Sequence, residues 1–297
     1  MSDSNSARPP TKVWTTLITN TEYLSVPFGG VVHRHLPGRR PQGPGRPGIL
    51  KQRVAYLLPS TPKAFTNDPR FYDCWSKLTP FSLVEYERVV QLDSDMLVLQ
   101  NMDELMELDL DPPSQNGEGN RVFACSHACA CNPLKKPHYP ENWIPKNCAY
   151  TTQHSNPEAA QTTGAPSDTA LGIPNGGLQV VNPSKGVYDK IIAQLAKADT
   201  SSYDFADQSL LGDLFHGRWV GLPYIYNALK TLRWEGVHDA IWRDDRVKNS
   251  QALGRVGQGS GCWGAPEETK DPAHKWWHSV NEERLEAEER AGLRDGF

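Results

Sequence analysis

The stretch that decides the fold is Arg88–Leu99, which reads Arg-Val-Val-Gln-Leu-Asp-Ser-Asp-Met-Leu-Val-Leu. Its apolar residues are typical of a strand in the middle of a sheet, where a charged group is costly unless it is paired or binds a metal. Asp93 and Asp95 interrupt this run, and alternate strand residues point the same way, so both carboxylates can converge on one hard cation where the strand ends. Such a cation usually completes its shell with phosphate oxygens. The stretch therefore predicts a site for a metal ion and a diphosphate, with a solvated Asp-Ser-Asp turn as the alternative.

Composition limits the classes of protein that fit. The chain has 297 residues, 38% of them hydrophobic, and a formal net charge of −4, which suits one large α/β domain or two smaller ones. The mild acidity does not favour a nucleic acid partner, and the basic cluster at 34–46 is interspersed with Gly and Pro. No apolar stretch approaches the roughly 20 residues that cross a membrane, and the N-terminal residues lack the apolar core of a signal peptide. We therefore expect no nucleic acid, no membrane span and a cytoplasmic location.

Thiols and imidazoles are concentrated in one loop-rich stretch. Its spacing is not the paired Cys-x-x-Cys of structural zinc sites, so reduced thiols are the favoured interpretation and a zinc site is the alternative. The residues concerned are Cys125, His127, Cys129, Cys131, His138 and Cys148.

Strands and helices are predicted to alternate along the chain. Periodicity and composition predict strands over 13–19, 88–92, 122–126 and 176–183, and helices over 72–87, 103–110, 184–198 and 207–215. Such alternation favours an α/β fold with a mostly parallel central sheet and flanking helices. Ligands of these sheets bind at the carboxyl ends of the strands, which is where Asp93 and Asp95 fall.

Other segments are predicted to be irregular. Residues 25–48 are dense in Gly, Pro and Arg without periodicity, which indicates loop or disorder, and 127–174 is a long Pro- and Asn-rich loop insertion. The predicted organisation is a disordered N-terminus over 1–11, one domain over 12–249, an irregular segment over 250–272 and an amphipathic C-terminal helix over 273–297.

Five motifs occur in a fixed order along most of 16–227. The longest is 77–105, Lys-Leu-Thr-Pro-Phe-Ser-Leu-Val-Glu-Tyr-Glu-Arg-Val-Val-Gln-Leu-Asp-Ser-Asp-Met-Leu-Val-Leu-Gln-Asn-Met-Asp-Glu-Leu. The others are Thr-Leu-Ile-Thr-Asn-Thr-Glu-Tyr at 16–23, Asn-Gly-Gly-Leu-Gln-Val-Val-Asn-Pro-Ser at 175–184, Asp-Phe-Ala-Asp-Gln-Ser-Leu-Leu at 204–211 and Leu-Pro-Tyr-Ile-Tyr-Asn at 222–227. In type and order they resemble the core of the family 8 glycosyltransferases, the glycogenin and galactinol synthase group.

The resemblance implies a single nucleotide-diphospho-sugar transferase domain of the GT-A type. It also implies Mn²⁺ or another divalent cation and a UDP-hexose donor, whose sugar passes with retention to an unidentified sugar, polyol or protein acceptor; a homodimer stays open. By position, Asp93 and Asp95 would bind the metal, and Lys77, Asp207 and Gln208 would be catalytic. The residues implied to bind substrate are Leu17, Thr19, Asn20, Tyr23, Arg70, Lys77, Ser94, Asn175, Gly176 and Asp204.

Some of these residues also have ordinary structural interpretations. Lys77 fits a solvated helix lysine, and Asp207 fits an N-cap. Arg70 does not have the family's spacing to Lys77. A dication and a lysine near a diphosphate would nevertheless stabilise the charge that develops when a sugar–phosphate bond breaks.

The chain departs from the family pattern in two places. Residues 25–48 replace a helix and a second strand that carries a Tyr-Thr-Asp-like motif, and Gln251 and Gly257 replace the His and Lys of a late His-x-x-Gly-x-x-Lys-Pro-Trp motif. That His is the third metal ligand and that Lys binds the diphosphate, so we expect transfer to be impaired in this chain. Because codons shifted by one nucleotide can restore family-like residues in both places, we hypothesise that 25–48 and 250–269 are read out of frame.

Three functions therefore stay open. A metal-dependent hexosyltransferase is favoured, and an inactive nucleotide-sugar-binding relative, or the product of a disrupted gene, is the alternative. An aspartyl phosphohydrolase is disfavoured, because Leu97 stands where that chemistry usually places a Thr after the Asp-x-Asp pair.

Overall fold

The computed structural model places the elements that the sequence predicts around one central sheet. Predictions for 1–10, 19–29, 36–48 and 252–271 lie outside the described residues. The structure describes residues 11–18, 30–35, 49–61, 64–66, 69–197, 199–251, 272–290 and 292.

Strands and helices alternate within the described parts of the chain. The strands are β1 (Lys12–Ile18), β2 (Gly30–His35), β3 (Ile49–Gln52), β4 (Arg88–Leu92), β5 (Leu97–Val98), β6 (Phe123–Cys125), β7 (Leu178–Val181), β8 (Val220–Gly221), β9 (Ala228–Leu229) and β10 (Asn249–Gln251). The α-helices are α1 (Ala149–Thr152), α2 (Lys185–Lys197), α3 (Ala206–Leu214) and α4 (Pro272–Arg290). Short 3-10 helices span Pro69–Tyr72, Cys74–Ser82, Asp103–Glu107, Pro113–Gln115, Pro145–Asn147, Gln153–Ser155, Ala159–Gln161, Thr200–Ser202, Tyr224–Tyr226, Lys230–Arg233 and Asp244–Arg246.

Two sheets organise these strands. The described strands of the larger sheet number seven, in the order β3-β2-β1-β4-β7-β6-β8, and β5, β10 and β9 form a smaller sheet in that order. β1 and β4 are parallel, with Thr16 paired to Leu92, so both strands end at the same edge. The residues that follow β4 are therefore at the carboxyl edge of the two central strands.

The α/β class with flanking helices is confirmed, but the sheet is mixed rather than mostly parallel. Among its described strands, β1–β4 and β6–β8 pair in parallel, while the β1–β2, β2–β3, β4–β7 and β6–β7 pairs are antiparallel. Two neighbouring strands are parallel only when the chain between them crosses from one end of the strands to the other. β7 instead starts at the edge where β4 ends, since the Asp93 amide donates to the Gly177 carbonyl at 2.8 Å.

The prediction of loop or disorder over 25–48 is wrong for the six residues of β2. This strand pairs with β1 from Val13 to Ile18. Its β-branched Val31 and Val32 suit a strand, and pairing with β1 satisfies backbone groups that an isolated segment would expose.

The core lies on both faces of the larger sheet. Successive residues of β4 point to opposite faces of the sheet. Val89 packs in one cluster with Leu78 and with Leu210 of α3. Val90 packs in another cluster with Leu105. Both α2 and α3 lie within a residue or two of their predicted bounds.

Two other predicted elements differ from expectation. The helix predicted over 72–87 is the shorter 3-10 helix Cys74–Ser82, and Pro80 lies inside it, where it has no N–H to donate to a helical bond. The insertion 127–174 contains several short helices, and its buried residues, such as Trp143 and Tyr150, share a core cluster with residues from 205–247.

The C-terminal helix α4 is present, and its Trp276 and Val280 pack against Leu97 of β5. Within the described residues, no helix combines the length and the apolar character that crossing a bilayer would require.

Candidate functional site

The carboxylates of the Asp-Ser-Asp turn lie at the end of β4, as predicted. Asp93 and Asp95 are half-buried, and Ser94 between them is exposed. Lys77 Nζ lies 2.7 Å from Asp93 Oδ1 and 2.8 Å from Asp93 Oδ2, so both carboxylate oxygens face the ammonium group. The turn is therefore structured around an ion pair, and the alternative of a solvated turn does not describe Asp93.

Lys77 lies in the 3-10 helix Cys74–Ser82, which packs on the same face of the larger sheet as Val89. Burial by itself lowers the pKa of Lys77, but the negative charge of Asp93, with smaller contributions from Cys74 and Asp207, outweighs burial and raises the pKa above its usual range. The side chains of Lys77 and Asp93 are 19% and 16% exposed. Lys77 thus presents a permanent positive charge at a site that retains access to solvent.

A second carboxylate, that of Asp207, lies close to this pair in the first turn of α3. Asp207 is 1% exposed, and its Oδ2 has no hydrogen-bond partner among the described residues. Burial raises its pKa to about 7, the positive charge of Lys77 opposes this rise, and the negative charge of Asp93 adds to it. The preceding residue, Ala206, has a φ of 42°, a left-handed conformation that is costly for a non-glycine residue and is typical of functional sites.

The turn before β7 packs directly on Asp207. A Cβ at Gly176 would lie 2.3 Å from Asp207 Oδ2, so a larger residue at this position would displace that carboxylate. The Gly176 amide donates to Gln208 Oε1 at 2.9 Å, and the Gly177 amide donates to Asn175 Oδ1 at 2.9 Å. The side-chain oxygen of Gln208 therefore holds the turn against α3, and that of Asn175 stabilises the turn from within.

The structure brings six of the predicted residues into one cluster at the strand edge. Leu17 lies beside them at the end of β1, and Asp204 is in the turn that leads into α3, both half-buried. Arg70 lies in the 3-10 helix Pro69–Tyr72, whose backbone alone is described at this residue. Thr19, Asn20 and Tyr23 lie outside the described residues. The clustered residues are Lys77, Asp93, Asn175, Gly176, Asp207 and Gln208.

Two buried amides at the same site were not predicted. Asn227 Nδ2 donates to Asn175 Oδ1 at 3.0 Å, and Asn249 Nδ2 donates to the Tyr226 carbonyl at 2.9 Å. Both Oδ1 atoms lack a hydrogen-bond partner within the described chain. Asn227 ends one of the sequence motifs, but its contact with Asn175 joins residues 52 apart, which no local pattern reveals.

The strand that carries Gln251 lies beside the Asp-Ser-Asp turn. β10 pairs antiparallel with β5, with Asn249 opposite Val98 and Ser250 opposite Leu97, two residues after Asp95. Gln251, the position that the family pattern assigns to a third metal ligand, is the next residue of β10.

The donor set at this edge fits a hard divalent cation. Two half-buried carboxylates share one turn, and an unpartnered oxygen of the buried Asp207 lies in the same cluster. Oxygen donors of this kind suit Mn²⁺ or Mg²⁺, whereas none of the three supplies the sulfur or imidazole that a softer metal prefers.

Comparison with known proteins identifies relatives over most of the chain. Residues 54–251 match the family described as Glycosyl transferase family 8, from just after β3 to the last residue of β10. Galactinol synthase 1 of Solanum lycopersicum is 23% identical over 255 residues, covering 81% of this chain and 68% of the relative. Galactinol synthase 3 of Arabidopsis thaliana is 24% identical over 217 residues, covering 71% of this chain and 59% of the relative.

Solved structures of glycosyltransferases also match part of the chain. The galactosyltransferase LgtC, in complex with donor and acceptor sugar analogues, is 17% identical with a TM-score of 0.39, covering 71% of this chain and 67% of LgtC. The glycosyltransferase GlyE of Streptococcus pneumoniae TIGR4 is 17% identical with a TM-score of 0.41, covering 70% of this chain and 42% of GlyE.

Proposed function

Since the chain belongs to glycosyl transferase family 8, we propose that it acts on a UDP-hexose and transfers the sugar, with retention, to an acceptor of the sugar, polyol or protein class. The observation that carries this proposal is the cluster of Lys77, Asp93 and Asp207 at the edge where β1 and β4 end. A positive charge, a metal-binding turn and a buried carboxylate at one strand edge suit a nucleotide-diphosphate sugar.

Asp93 and Asp95 would hold the divalent cation, which we propose to be Mn²⁺. When bound, the cation would neutralise charge on the diphosphate as the sugar–phosphate bond breaks. Lys77 contributes a second positive charge, and its pKa, raised mainly by Asp93 against the effect of burial, keeps it protonated at any physiological pH. Its contact with both oxygens of Asp93 fixes the ammonium group beside the metal turn.

Asp207 and the turn 175–177 would form the sugar side of the site. The unpartnered Asp207 Oδ2 can accept a hydrogen bond from a sugar hydroxyl, and the glycine at 176 leaves room for that oxygen. Gln208 and Asn175 hold this turn in place, so their contribution to catalysis is positioning as well as contact. Leu17, Ser94, Asp204 and Arg70 complete the proposed donor site together with Thr19, Asn20 and Tyr23.

Gln251 favours a second candidate, an inactive relative that binds a nucleotide sugar without transferring the sugar. Its amide would replace the imidazole that the family pattern gives as a third metal ligand at this position, and an amide oxygen is a weaker ligand for a divalent transition metal than imidazole. We therefore propose that transfer by this chain is slow. Sequencing the transcript across 25–48 and 250–269 tests whether these residues are translated as given.

Calorimetry and a donor screen separate these functions. We expect UDP to bind to the full chain in the presence of Mn²⁺ and to bind much more weakly without a divalent cation. Turnover of UDP-glucose or UDP-galactose near the rates of active family members would refute the impairment, and binding without turnover would support the inactive relative. Failure to bind UDP with any divalent cation would overturn the proposed function, and hydrolysis of a phosphomonoester would instead indicate a phosphohydrolase.

A cytoplasmic location is part of the proposal. None of the five cysteines of the described residues is in a disulfide, as is usual in a reducing compartment. Localisation of the tagged full-length protein by microscopy is the direct test.

A further inference from the structure

A second polar cluster lies away from the strand edge, between the insertion and a later turn of the chain. Cys129 and Cys131 follow β6, Cys148 precedes α1, and His238 lies 90 residues beyond Cys148. One donor atom from each of these four residues lies within 4.8 Å of the other three. Among the described residues, no other group of three or more His, Cys, Asp or Glu side chains meets this criterion.

The distances within the cluster are those of tetrahedral metal ligands. His238 Nε2 lies 3.5 Å from Cys129 Sγ, 3.2 Å from Cys131 Sγ and 3.4 Å from Cys148 Sγ. With Zn–S bonds of about 2.3 Å and a Zn–N bond of about 2.0 Å at tetrahedral angles, sulfur and nitrogen ligands are about 3.5 Å apart. The three observed distances therefore agree with a common centre.

Hydrogen bonding alone does not explain this arrangement. An imidazole nitrogen has a single lone pair or a single proton, so Nε2 of His238 can form only one good hydrogen bond, yet three sulfur atoms surround it. The other ring nitrogen, Nδ1, is occupied by His154 Nε2 at 2.9 Å. When Nδ1 of His238 donates its proton to His154, the lone pair of Nε2 is directed at the sulfur atoms, as in metal sites with a hydrogen-bonded second shell.

Burial argues for a closed, structural site. Cys148 and His238 are 0% exposed and Cys129 is 8% exposed. Trp143 and Tyr150 pack in the same apolar cluster as these cysteines, and the Tyr150 ring lies 5.4 Å from the His238 ring. Four protein ligands leave no open position for a substrate, and sulfur with imidazole is the donor set that selects zinc over hard cations.

We propose that Cys129, Cys131, Cys148 and His238 bind one structural Zn²⁺ ion. Binding replaces three thiol protons with Zn²⁺ and releases three protons to solvent, without any change in oxidation state. The ion joins the insertion 127–174 to the turn that carries His238. This site is independent of the transferase assignment, since none of its ligands belongs to the strand-edge cluster.

Zinc binding would also stabilise the 175–177 turn of the proposed donor site. The insertion leaves the sheet at Ser126 and returns at Asn175, whose amide donates to the Ser126 carbonyl at 2.8 Å. His127 and Pro174 form a bridge at the same point. Zinc binding would therefore restrain both ends of the insertion, and its C-terminal end leads directly into the 175–177 turn.

The metal content of the full chain tests the proposal. Purified without chelators, the wild-type protein should contain one zinc per chain by elemental mass spectrometry, and Co²⁺ exchanged into it should show the intense visible bands of tetrahedral thiolate coordination. Cys148→Ser and His238→Ala should lose the metal. Cys74→Ser and His138→Ala are the matched controls, since the half-buried Cys74 and the exposed His138 lie outside the cluster, and both should retain it.

Thiol labelling of the wild-type protein covers the case in which those variants do not fold. A cysteine-specific reagent should leave Cys129, Cys131 and Cys148 unmodified until a strong chelator is added, whereas labelling of Cys74 should be the same before and after. His154→Ala should weaken zinc affinity by about 10- to 100-fold because it removes the partner of His238 Nδ1. A wild-type protein without zinc, a disulfide within the cluster, or labelling that the chelator does not change would overturn the proposal.

Discussion

The strand-edge cluster and the thiol–imidazole cluster differ in their donor atoms, their exposure and their effect on stability. Lys77, Asp93 and Asp207 supply hard oxygen and ammonium groups beside the exposed Ser94, and one buried carboxylate oxygen there lacks a partner in the described chain. Cys148 and His238 supply soft donors that are fully buried. The first cluster suits a cation and a substrate that exchange with solvent, and the second suits an ion that stays bound.

The two clusters are also expected to have opposite effects on the stability of the folded state. A buried carboxylate without a full set of partners destabilises the folded state when it is charged, whereas a closed metal site stabilises it. The strand-edge cluster therefore lowers the free energy of unfolding until a ligand binds there. The proposed zinc site raises the free energy of unfolding whether or not substrate is bound. The predictions below test this contrast.

Removal of zinc should have the largest effect. A strong chelator should lower the unfolding free energy by on the order of 5 kcal/mol, which corresponds to a fall in Tm of roughly 10 to 20 °C for a domain of this size. Removal of Mn²⁺ by a mild chelator should abolish UDP binding and leave Tm almost unchanged. Differential scanning calorimetry with each chelator measures both effects. Equal changes in Tm would show that the two sites do not differ in their contribution to stability.

The pH dependence of stability should reveal the cost of Asp207. Its pKa is about 7 in the folded protein, mainly because burial raises it, and near the ordinary carboxyl value in the unfolded chain. As pH rises from about 4 to 7, the unfolded chain loses this proton first, so the folded state binds more protons and stability falls with pH. Asp207→Asn lacks this titration, and its stability relative to wild type should increase by up to about 4 kcal/mol between pH 4 and pH 8.

Urea unfolding of both proteins across this pH range is the measurement. Asp109→Asn is the control, because Asp109 is exposed and its partner Arg121 is also at the surface. The control should follow the wild-type curve. A constant difference between wild type and Asp207→Asn at all pH values would show that Asp207 titrates normally.

The fold could be predicted from the sequence where the signal is local. β4 and its carboxylates, α2 and α3 lie where hydrophobic periodicity and a short motif predict them, because both signals arise from residues within one or two turns of each other. The mixed direction of the sheet was not predicted, since the direction of β7 depends on the route of the chain through the long insertion.

The two clusters show the same limit within the functional sites. Asp93 and Asp95 are one residue apart and were found directly. The thiols of Cys129, Cys131 and Cys148 were noted beside His127 and His138, but the sequence favoured reduced thiols over a zinc site. His238 is separated from Cys129 by 109 residues, and only the packing of the insertion against the later turn brings them together.

Asp93→Asn should weaken UDP binding in the presence of Mn²⁺ by on the order of 100-fold, since a neutral amide would replace a charged ligand of the proposed metal ion. The variant removes a proposed metal ligand and leaves Lys77 without its carboxylate. Calorimetric titration with UDP, at fixed Mn²⁺, gives the affinity. Asp109→Asn should bind as wild type. If Asp93→Asn binds Mn²⁺ and UDP as tightly as wild type, the turn after β4 is not the metal site.

Gln251→His should have the smallest effect, and in the opposite direction. Gln251 follows Ser250, which pairs with Leu97 two residues after Asp95, so we expect an imidazole at this position to add a third protein ligand to the two carboxylates. We expect Mn²⁺ affinity in the presence of UDP to rise by about 10-fold, or about 1.4 kcal/mol, measured by titration of Mn²⁺ with electron paramagnetic resonance. Gln115→His is the control, because Gln115 is exposed on the 3-10 helix Pro113–Gln115 and should add no affinity. Zinc content should be unchanged in both variants, since the thiol–imidazole cluster shares no ligand with the strand edge. If Gln251→His instead gains zinc and not Mn²⁺ affinity, the softness of the donor atoms, rather than the number of ligands, decides which metal binds at the strand edge.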